Sequence, residues 1–385
     1  MWRSIASNAL TLGIVLIAGI GALIGWGQRE FVSEGPLDSA ICLRVERGAS
    51  LADVSGELAA QGAIRNEAIF RAGARYTDRA GALRFGSYLV PEGASMDGIL
   101  DIVTRGGAST CGSELVYRIG VTRTDLQLRT VDPATGRFAE QAAVVIGEEI
   151  TLPEEIEAAA AEADTRFRVL VVEGSTAWQV WDSLRRAPFL TGEVGARPAE
   201  GSLAPDSYEV RPGQDRAELL ALMAERQARI LADLWAARAE RLPLETPEDA
   251  LILASIIEKE TGVADERRTI AGVFINRLNR GMRLQTDPTV IYGVTLGEGV
   301  LGRGLRQSEL RAATPYNTYV ISGLPPTPIA NPGRASIEAA LNPETTPYIF
   351  FVADGTGGHA FAATLDEHNR NVAAWRQIER ERGLR

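Results

Sequence analysis

Thr246-Pro-Glu-Asp-Ala-Leu-Ile-Leu-Ala-Ser-Ile-Ile-Glu-Lys-Glu-Thr-Gly262 announces a helix in its first four residues. A threonine able to cap, a proline at the first helical position and two acids in the first turn are start signals, and the apolar run behind them predicts a buried helix. At about 100° per residue, Leu253, Ile256 and Ile257 lie within about 60° of Glu260, whereas Glu258 is turned about 160° away. Glu260 is therefore a carboxyl on the apolar face. Burial penalises the charged form and raises the pKa, so such a carboxyl can hold a proton near neutrality, as a general acid must. A helix-terminal glutamate paired with Arg267 or Arg268 fits the same pattern, and helix geometry leaves both readings open.

Downstream, Val273-Phe-Ile-Asn-Arg-Leu-Asn-Arg-Gly-Met-Arg-Leu-Gln-Thr-Asp-Pro-Thr-Val-Ile-Tyr-Gly293 sets a polar turn, Gln285 to Pro288, between a helix and an apolar run. Thr314-Pro-Tyr-Asn-Thr-Tyr-Val-Ile-Ser-Gly-Leu-Pro-Pro326 then supplies aromatics, amides and hydroxyls in an irregular, Pro-rich stretch, the composition expected of a carbohydrate cleft. Loop placement would expose them.

Upstream, Ala217 to Ala239 has the 3.6-residue periodicity of a long amphipathic helix. Two segments further back resemble each other. Val45-Glu-Arg-Gly-Ala-Ser-Leu-Ala-Asp-Val-Ser-Gly-Glu-Leu58 and Val172-Glu-Gly-Ser-Thr-Ala-Trp-Gln-Val-Trp-Asp-Ser-Leu184 each hold a strand-like run, a turn with Glu and Gly, and a helix opened by Ser50 or Ser175. With a strand over Phe85 to Pro91 and a capped helix over Ser95 to Val103, the first copy makes a βααβ-type module. Such modules resemble LysM, a peptidoglycan-binding fold, although the same pattern serves as an ordinary packing unit. Between the copies, Cys111 to Asp164 alternates strand-like pieces with an acidic helical stretch, Glu154 to Glu162, and offers no chemistry.

At the N-terminus no charge occurs from Ser4 to Gln28, and Leu10 to Trp26 is almost wholly apolar. About 20 residues span a bilayer, so this segment reads as an uncleaved anchor, with Phe31 to Ser39 a short linker after it. Arg3 and the amino terminus lie on its short side while Arg29 and Glu30 nearly cancel on the other. The N-terminus is then cytoplasmic and the rest exported. Export permits a disulfide between Cys42 and Cys111, which have no other cysteine to pair with.

Composition narrows the chemistry. Forty Lys+Arg against 50 Asp+Glu leave a charge of −10, opposite to a nucleic-acid footprint. Only His359 and His368 are present, so a three-histidine metal site is impossible. Lys259 is the one lysine, every other basic residue being arginine, and its neighbours fit neither a P-loop nor a Schiff-base site.

Glu-Lys-Glu-Thr at 258–261, Phe-Ile-Asn-Arg-Leu at 274–278, Gly-Met-Arg-Leu-Gln-Thr-Asp-Pro-Thr-Val-Ile-Tyr-Gly at 281–293, Tyr-Asn-Thr-Tyr at 316–319, Gly-Leu-Pro-Pro at 323–326 and Phe350-Phe-Val-Ala-Asp-Gly-Thr-Gly-Gly-His359 together resemble the endolytic murein transglycosylases, the MltG or YceG-like family. The resemblance implies cleavage of the MurNAc-β-1,4-GlcNAc bond inside glycan strands without water, leaving 1,6-anhydro ends and helping to end strand elongation. One carboxyl can protonate the leaving oxygen and then take the proton of the muramic acid 6-hydroxyl. By this resemblance Glu260 is catalytic, with Glu258 the runner-up. Gln285, Asp287, Tyr316 and Asn317 would hold the sugar or stabilise positive charge, although Asp287 before Pro288 could simply shape a turn. His359 would sit at the cleft edge or serve its turn.

The expected class is α+β: a transmembrane helix, small LysM-like modules and a mostly helical catalytic domain with irregular loops. Its expected parts are the anchor at 1–30, a LysM-like module at 41–110, an unassigned insert at 111–165, a second LysM-like or β-rich segment at 166–210 and the catalytic domain at 211–385. Glycan strands, the inner membrane and peptidoglycan synthases are the expected partners, and neither cofactor nor metal is expected. A water-using glycosidase with Asp287 as its second carboxylate, and a non-catalytic glycan-binding scaffold, remain as alternatives.

Overall fold

The computed structural model describes residues 2–105 and 110–383, so Met1, part of the topology reading, lies outside the described residues, as does the Arg3 side chain. The chain is mixed α and β. It forms two compact units, one of Met1–Leu115, Gln127–Ala143 and Leu152–Arg166, the other of Val116–Leu126, Val144–Thr151 and Phe167–Arg385.

The first unit begins with helix α1 (Trp2–Val32), whose stretch Leu10–Val32 is apolar and long enough to cross a membrane. Then come β1 (Ile41–Val45), α2 (Leu51–Ala60), α3 (Glu67–Tyr76), β2 (Gly86–Val90) and α4 (Met96–Thr104). The β-α-α-β order of the sequence reading is present, with β1 and β2 antiparallel from Ile41↔Val90 to Val45↔Gly86. Ser50 opens α2 through a reciprocal bond pair with Asp53, and Ser95 opens α4 by accepting from the Gly98 N–H at 3.1 Å. Leu43, Val54, Leu58, Phe70, Val90 and Ile99 fill the core between these elements. Cys42 and Cys111 are joined by a disulfide, their Cα atoms 5.8 Å apart.

The expected linker after the anchor is corrected here. The helix continues through Phe31, and both Phe31 and Leu37 are buried in the core of the following module, because aromatic and aliphatic side chains gain more from burial than from trailing in solvent. Phe31 lies on Gly73 of α3, where any Cβ would come within 2.3 Å of its ring.

Strands β3 (Ser113–Ile119), β4 (Thr124–Asp132) and β5 (Arg137–Val145) and helix α5 (Glu154–Ala161) follow, and the division between the units passes through all three strands. The second unit continues with β6 (Arg166–Val171), α6 (Ala177–Arg186), β7 (Ser207–Val210) and α7 (Arg216–Ala236). One sheet takes the order β5-β4-β3-β6-β7. Thr176, not Ser175, caps α6: it accepts from the Gln179 N–H at 3.2 Å, while Ser175 turns its hydroxyl back to the Val172 carbonyl. The amphipathic helix α7 stops at Ala236 rather than Ala239.

Helix α8 (Pro247–Glu260) is the centre of this unit, with every residue from Ala250 to Ile257 buried. Thr246 caps it in a reciprocal pair with Asp249. A 3₁₀ turn at Ala264–Glu266 leads into α9 (Arg267–Asn279), followed by α10 (Asp287–Thr295), α11 (Gln307–Arg311), α12 (Arg334–Leu341), the hairpin β8 (Phe350–Ala353) and β9 (His359–Ala362), and α13 (Leu365–Glu381). Ile270 and Phe274 of α9 and Ile337 and Leu341 of α12 share one core with α8. Gly272 lets the chain at Glu344 lie directly on α9, since a Cβ there would stand 2.4 Å from the Glu344 carbonyl oxygen.

Candidate active site

Helix α8 ends at Glu260, because Thr261 adopts extended backbone. Glu260, in the last helical position, is partly buried and accepts a hydrogen bond from the Thr286 hydroxyl at the start of α10. Among the described residues no arginine forms an ion pair with its carboxylate: Arg268 instead donates to the Asn342 carbonyl at 2.9 Å. Burial pushes the Glu260 carboxyl above the usual glutamate range. The Thr286 bond, His359 and Arg277 pull it down, while the Asp287 charge pushes it further up.

The surroundings of Glu260 are held by backbone ties. Thr286 is itself buried, and its N–H donates to Thr318 Oγ1 at 3.1 Å while the Gln285 N–H donates to the Thr318 carbonyl at 3.1 Å. These bonds bind the turn before α10 to the loop after Pro315. They also bring Tyr319 to Asp287, whose carboxylate accepts from the tyrosine hydroxyl at 2.7 Å. Burial and the acids Asp287 and Glu260 push the Tyr319 hydroxyl up, so it stays a donor. On another side, buried Arg277 donates to the carbonyls of Ile349, at 2.7 Å, and Leu284, which fixes a cation near Glu260. His359 is clamped by Glu266, whose two oxygens meet its N–H and its Nδ1 at 2.8 Å each. Gly358 permits that approach, since a Cβ there would lie 2.5 Å from Glu266 Oε1.

Glu258 leaves α8 on a different side, where its carboxylate accepts from the Gly333 N–H at 3.0 Å, the N-cap residue of α12. Glu173 lies against Gly333 too. Burial and the charge of Glu258 push its carboxyl up.

Of the other residues singled out in the sequence, Asp287 and Gln285 are exposed, Gln285 in left-handed backbone with φ 48°. Tyr316 bonds its hydroxyl to Thr327 at 2.9 Å and rests its ring on Tyr292. Asn317 is a correction. Its side chain is fully buried and its amide donates to the carbonyls of Glu309, Leu310 and Ala312, so it folds the loop and has no donor left for a sugar. Sequence reasoning missed Thr286, Arg277 and Tyr319. All three stand inside the quoted motifs, but choosing among neighbours needed the ties between residues 285 and 318.

The family model described as YceG-like matches residues 43–374. The chain belongs to the YceG-like family. This YceG-like chain is 28% identical over 355 residues to the endolytic murein transglycosylase of Bacillus subtilis strain 168, spanning 92% of this chain and 90% of that one. It is 27% identical to the endolytic murein transglycosylase of Streptococcus pneumoniae strain D39, over 86% of this chain but 58% of the pneumococcal one. A crystal structure of a yceG-like protein from Listeria monocytogenes aligns with 86% of this YceG-like chain and 98% of its own, at 24% identity and a TM-score of 0.44.

Proposed function

We propose that the chain is a lyase of the cell wall, an endolytic murein transglycosylase that cuts MurNAc-β-1,4-GlcNAc bonds within glycan strands and leaves 1,6-anhydro ends. The observation that carries this reading is Glu260: a carboxyl at the end of a buried helix, pushed toward its protonated form by burial and given a hydroxyl donor by Thr286. Protonated, it gives its proton to the leaving glycosidic oxygen. Ionised, it accepts the proton of the sugar's own 6-hydroxyl, which closes the anhydro ring, so no second carboxylate is required. Arg277 and Thr286 steady the ionised form between the two steps, and family membership together with the names of the relatives supports this chemistry.

In this reading α1 anchors the chain in the inner membrane with its N-terminus cytoplasmic. The βααβ unit at 41–110 is a LysM-like glycan binder, the segment 111–165 has no assigned role, 166–210 is a second such or β-rich part, and the catalytic part is 211–385. Peptidoglycan synthases are the partners this placement offers. A second reading has one observation in its favour: Asp287 carries its charge close enough to Glu260 to raise its pKa, as the second carboxylate of a hydrolase would. Mass spectrometry of digested glycan strands separates the two, because an anhydro end is one water lighter than a hydrolysed end. Hydrolysed ends would replace the first reading by the second, and glycan binding with no released fragment would leave a scaffold.

A further inference from the structure

Lys259 has no part in the reaction just described, yet it is the one lysine in a chain whose other basic residues are arginine. Successive side chains leave a helix about 100° apart. Glu260 goes to Thr286 and Glu258 to Gly333, and Lys259 takes a third direction, into the wall of a cavity of about 350 Å³. That cavity runs along α10: Pro288 and Ile291 line it, while Thr286, just before the same helix, faces Glu260. A chain of sugars held at Glu260 would therefore have this cavity beside it, and its size suits a small ligand or branch.

Most polar groups in the wall are already engaged. The Thr176 hydroxyl donates to the Gly297 carbonyl at 2.6 Å, and Gln179 accepts from the Thr176 N–H at 2.9 Å and donates to the Val121 carbonyl at 2.8 Å. Arg303 is held by both oxygens of Glu309. Lys259 differs. Its ammonium has three donors, of which one meets the Gly174 carbonyl at 3.2 Å, and no carboxylate lies within ion-pair distance of it among the described residues. The rest of the lining is largely apolar, with Ile291 and Ile329. A point charge on a flexible stem, with donors to spare, faces a half-open and partly apolar recess, where an ion pair is screened less than on a flat surface.

We propose that this cavity binds a carboxylate of the peptide branch carried by muramic acid, with Lys259 as its counter-ion. The proposal rests on the glycan-cleaving reading for its choice of ligand, and it makes Lys259 a specificity residue rather than a catalytic one. Burial of the ammonium pushes its pKa down, the charges of Glu258 and Glu200 beyond ion-pair distance push it partly back up, and an incoming carboxylate would add to them.

Calorimetry on the full chain carrying Glu260→Gln, which prevents turnover, tests it with a soluble muramyl peptide bearing free carboxylates and with the same peptide amidated. Amidation and an added Lys259→Gln should each weaken binding about tenfold, the scale of one charge-assisted bond, and together no more than either alone. Equal binding of the acid and amidated peptides, or additive losses, would overturn the assignment. With Glu260 intact, the ratio of kcat/KM on peptide-bearing strands to that on strands stripped of peptide should fall about tenfold in Lys259→Gln. An unchanged ratio again rejects it. Should the unsubstituted chain release no anhydro ends, the cleavage reading fails, and the calorimetry still decides the cavity.

Discussion

At Glu260 a single atom pair separates chemistry from architecture. Glu260→Gln keeps the shape and can still accept from Thr286, but it cannot carry a proton, so cleavage should fall by about 10²- to 10⁴-fold in an assay of anhydro-end release while the circular dichroism spectrum is unchanged. Glu258→Gln should stay within about tenfold of the parent, because its amide oxygen can go on accepting from Gly333. If Glu258→Gln is the inactive one, the helical-face assignment is wrong. The same substitution at 260 has a stability signature whose sign follows from burial. A carboxyl whose folded pKa is raised adds stability that is fully present below its unfolded pKa and lost as pH rises through the folded one. Thermal melts of Glu260→Gln and the parent should therefore coincide near pH 4, and above the raised pKa the glutamine form should melt higher. Thr286→Val removes a bond that lowers the Glu260 pKa, so the alkaline limb of the pH–rate profile should move upward. A profile that stays in place, or moves to lower pH, would detach Thr286 from the proton. The burial of Glu260 was legible from periodicity, since the apolar face of a helix is a local property, while the role assigned to it came from the family resemblance. Thr286 and Tyr319 were not, because the bonds that bring them in span 26 and 32 residues.

Among the elements, those with strong end signals were readable and those defined by partners were not. Ser50, Ser95 and Thr246 each start a helix in the place the sequence assigns, because a capping hydroxyl and its acceptor lie within one turn of each other. At the second repeat two hydroxyls compete, and only packing shows that Ser175 folds back to Val172 and leaves the cap to Thr176. Asn317 misled for a related reason: an amide in a polar loop looks like a ligand group until three carbonyls close on it. Helix α9 offers a sharp check on this level. Gly272→Ala would put a methyl 2.4 Å from the Glu344 carbonyl oxygen, where backbone must move, and should cost about 1–3 kcal/mol in urea unfolding. A neutral result would mean that the segment around Glu344 is free to lift off α9.

For the molecule as a whole, two tests act far from the carboxyl. The Cys42–Cys111 bond closes a loop of 69 residues, which by loop-closure entropy alone stabilises by about 4 kcal/mol, so the double Cys→Ser chain should melt well below the oxidised parent, and reduction should do the same to the parent. Membrane fractionation addresses α1: the chain should pellet with inner membranes and be cut by protease added to spheroplasts, whereas a shortened soluble product would make Leu10–Val32 a cleaved leader. The long apolar helix was legible because bilayer thickness sets a length that any sequence can be measured against. Its attachment was not, since a short polar stretch reads as slack until its two apolar residues are seen in a core. Phe31 is stacked on Gly73, and Arg65 reaches back both to Glu30 at 3.3 Å and to the Glu34 carbonyl at 3.1 Å. With α1 in a bilayer, the first module is therefore mounted on a stalk and not tied to a leash. Its height is set by a helix, it cannot sweep a hemisphere, and any tilt of the helix in the lipid turns the module with it.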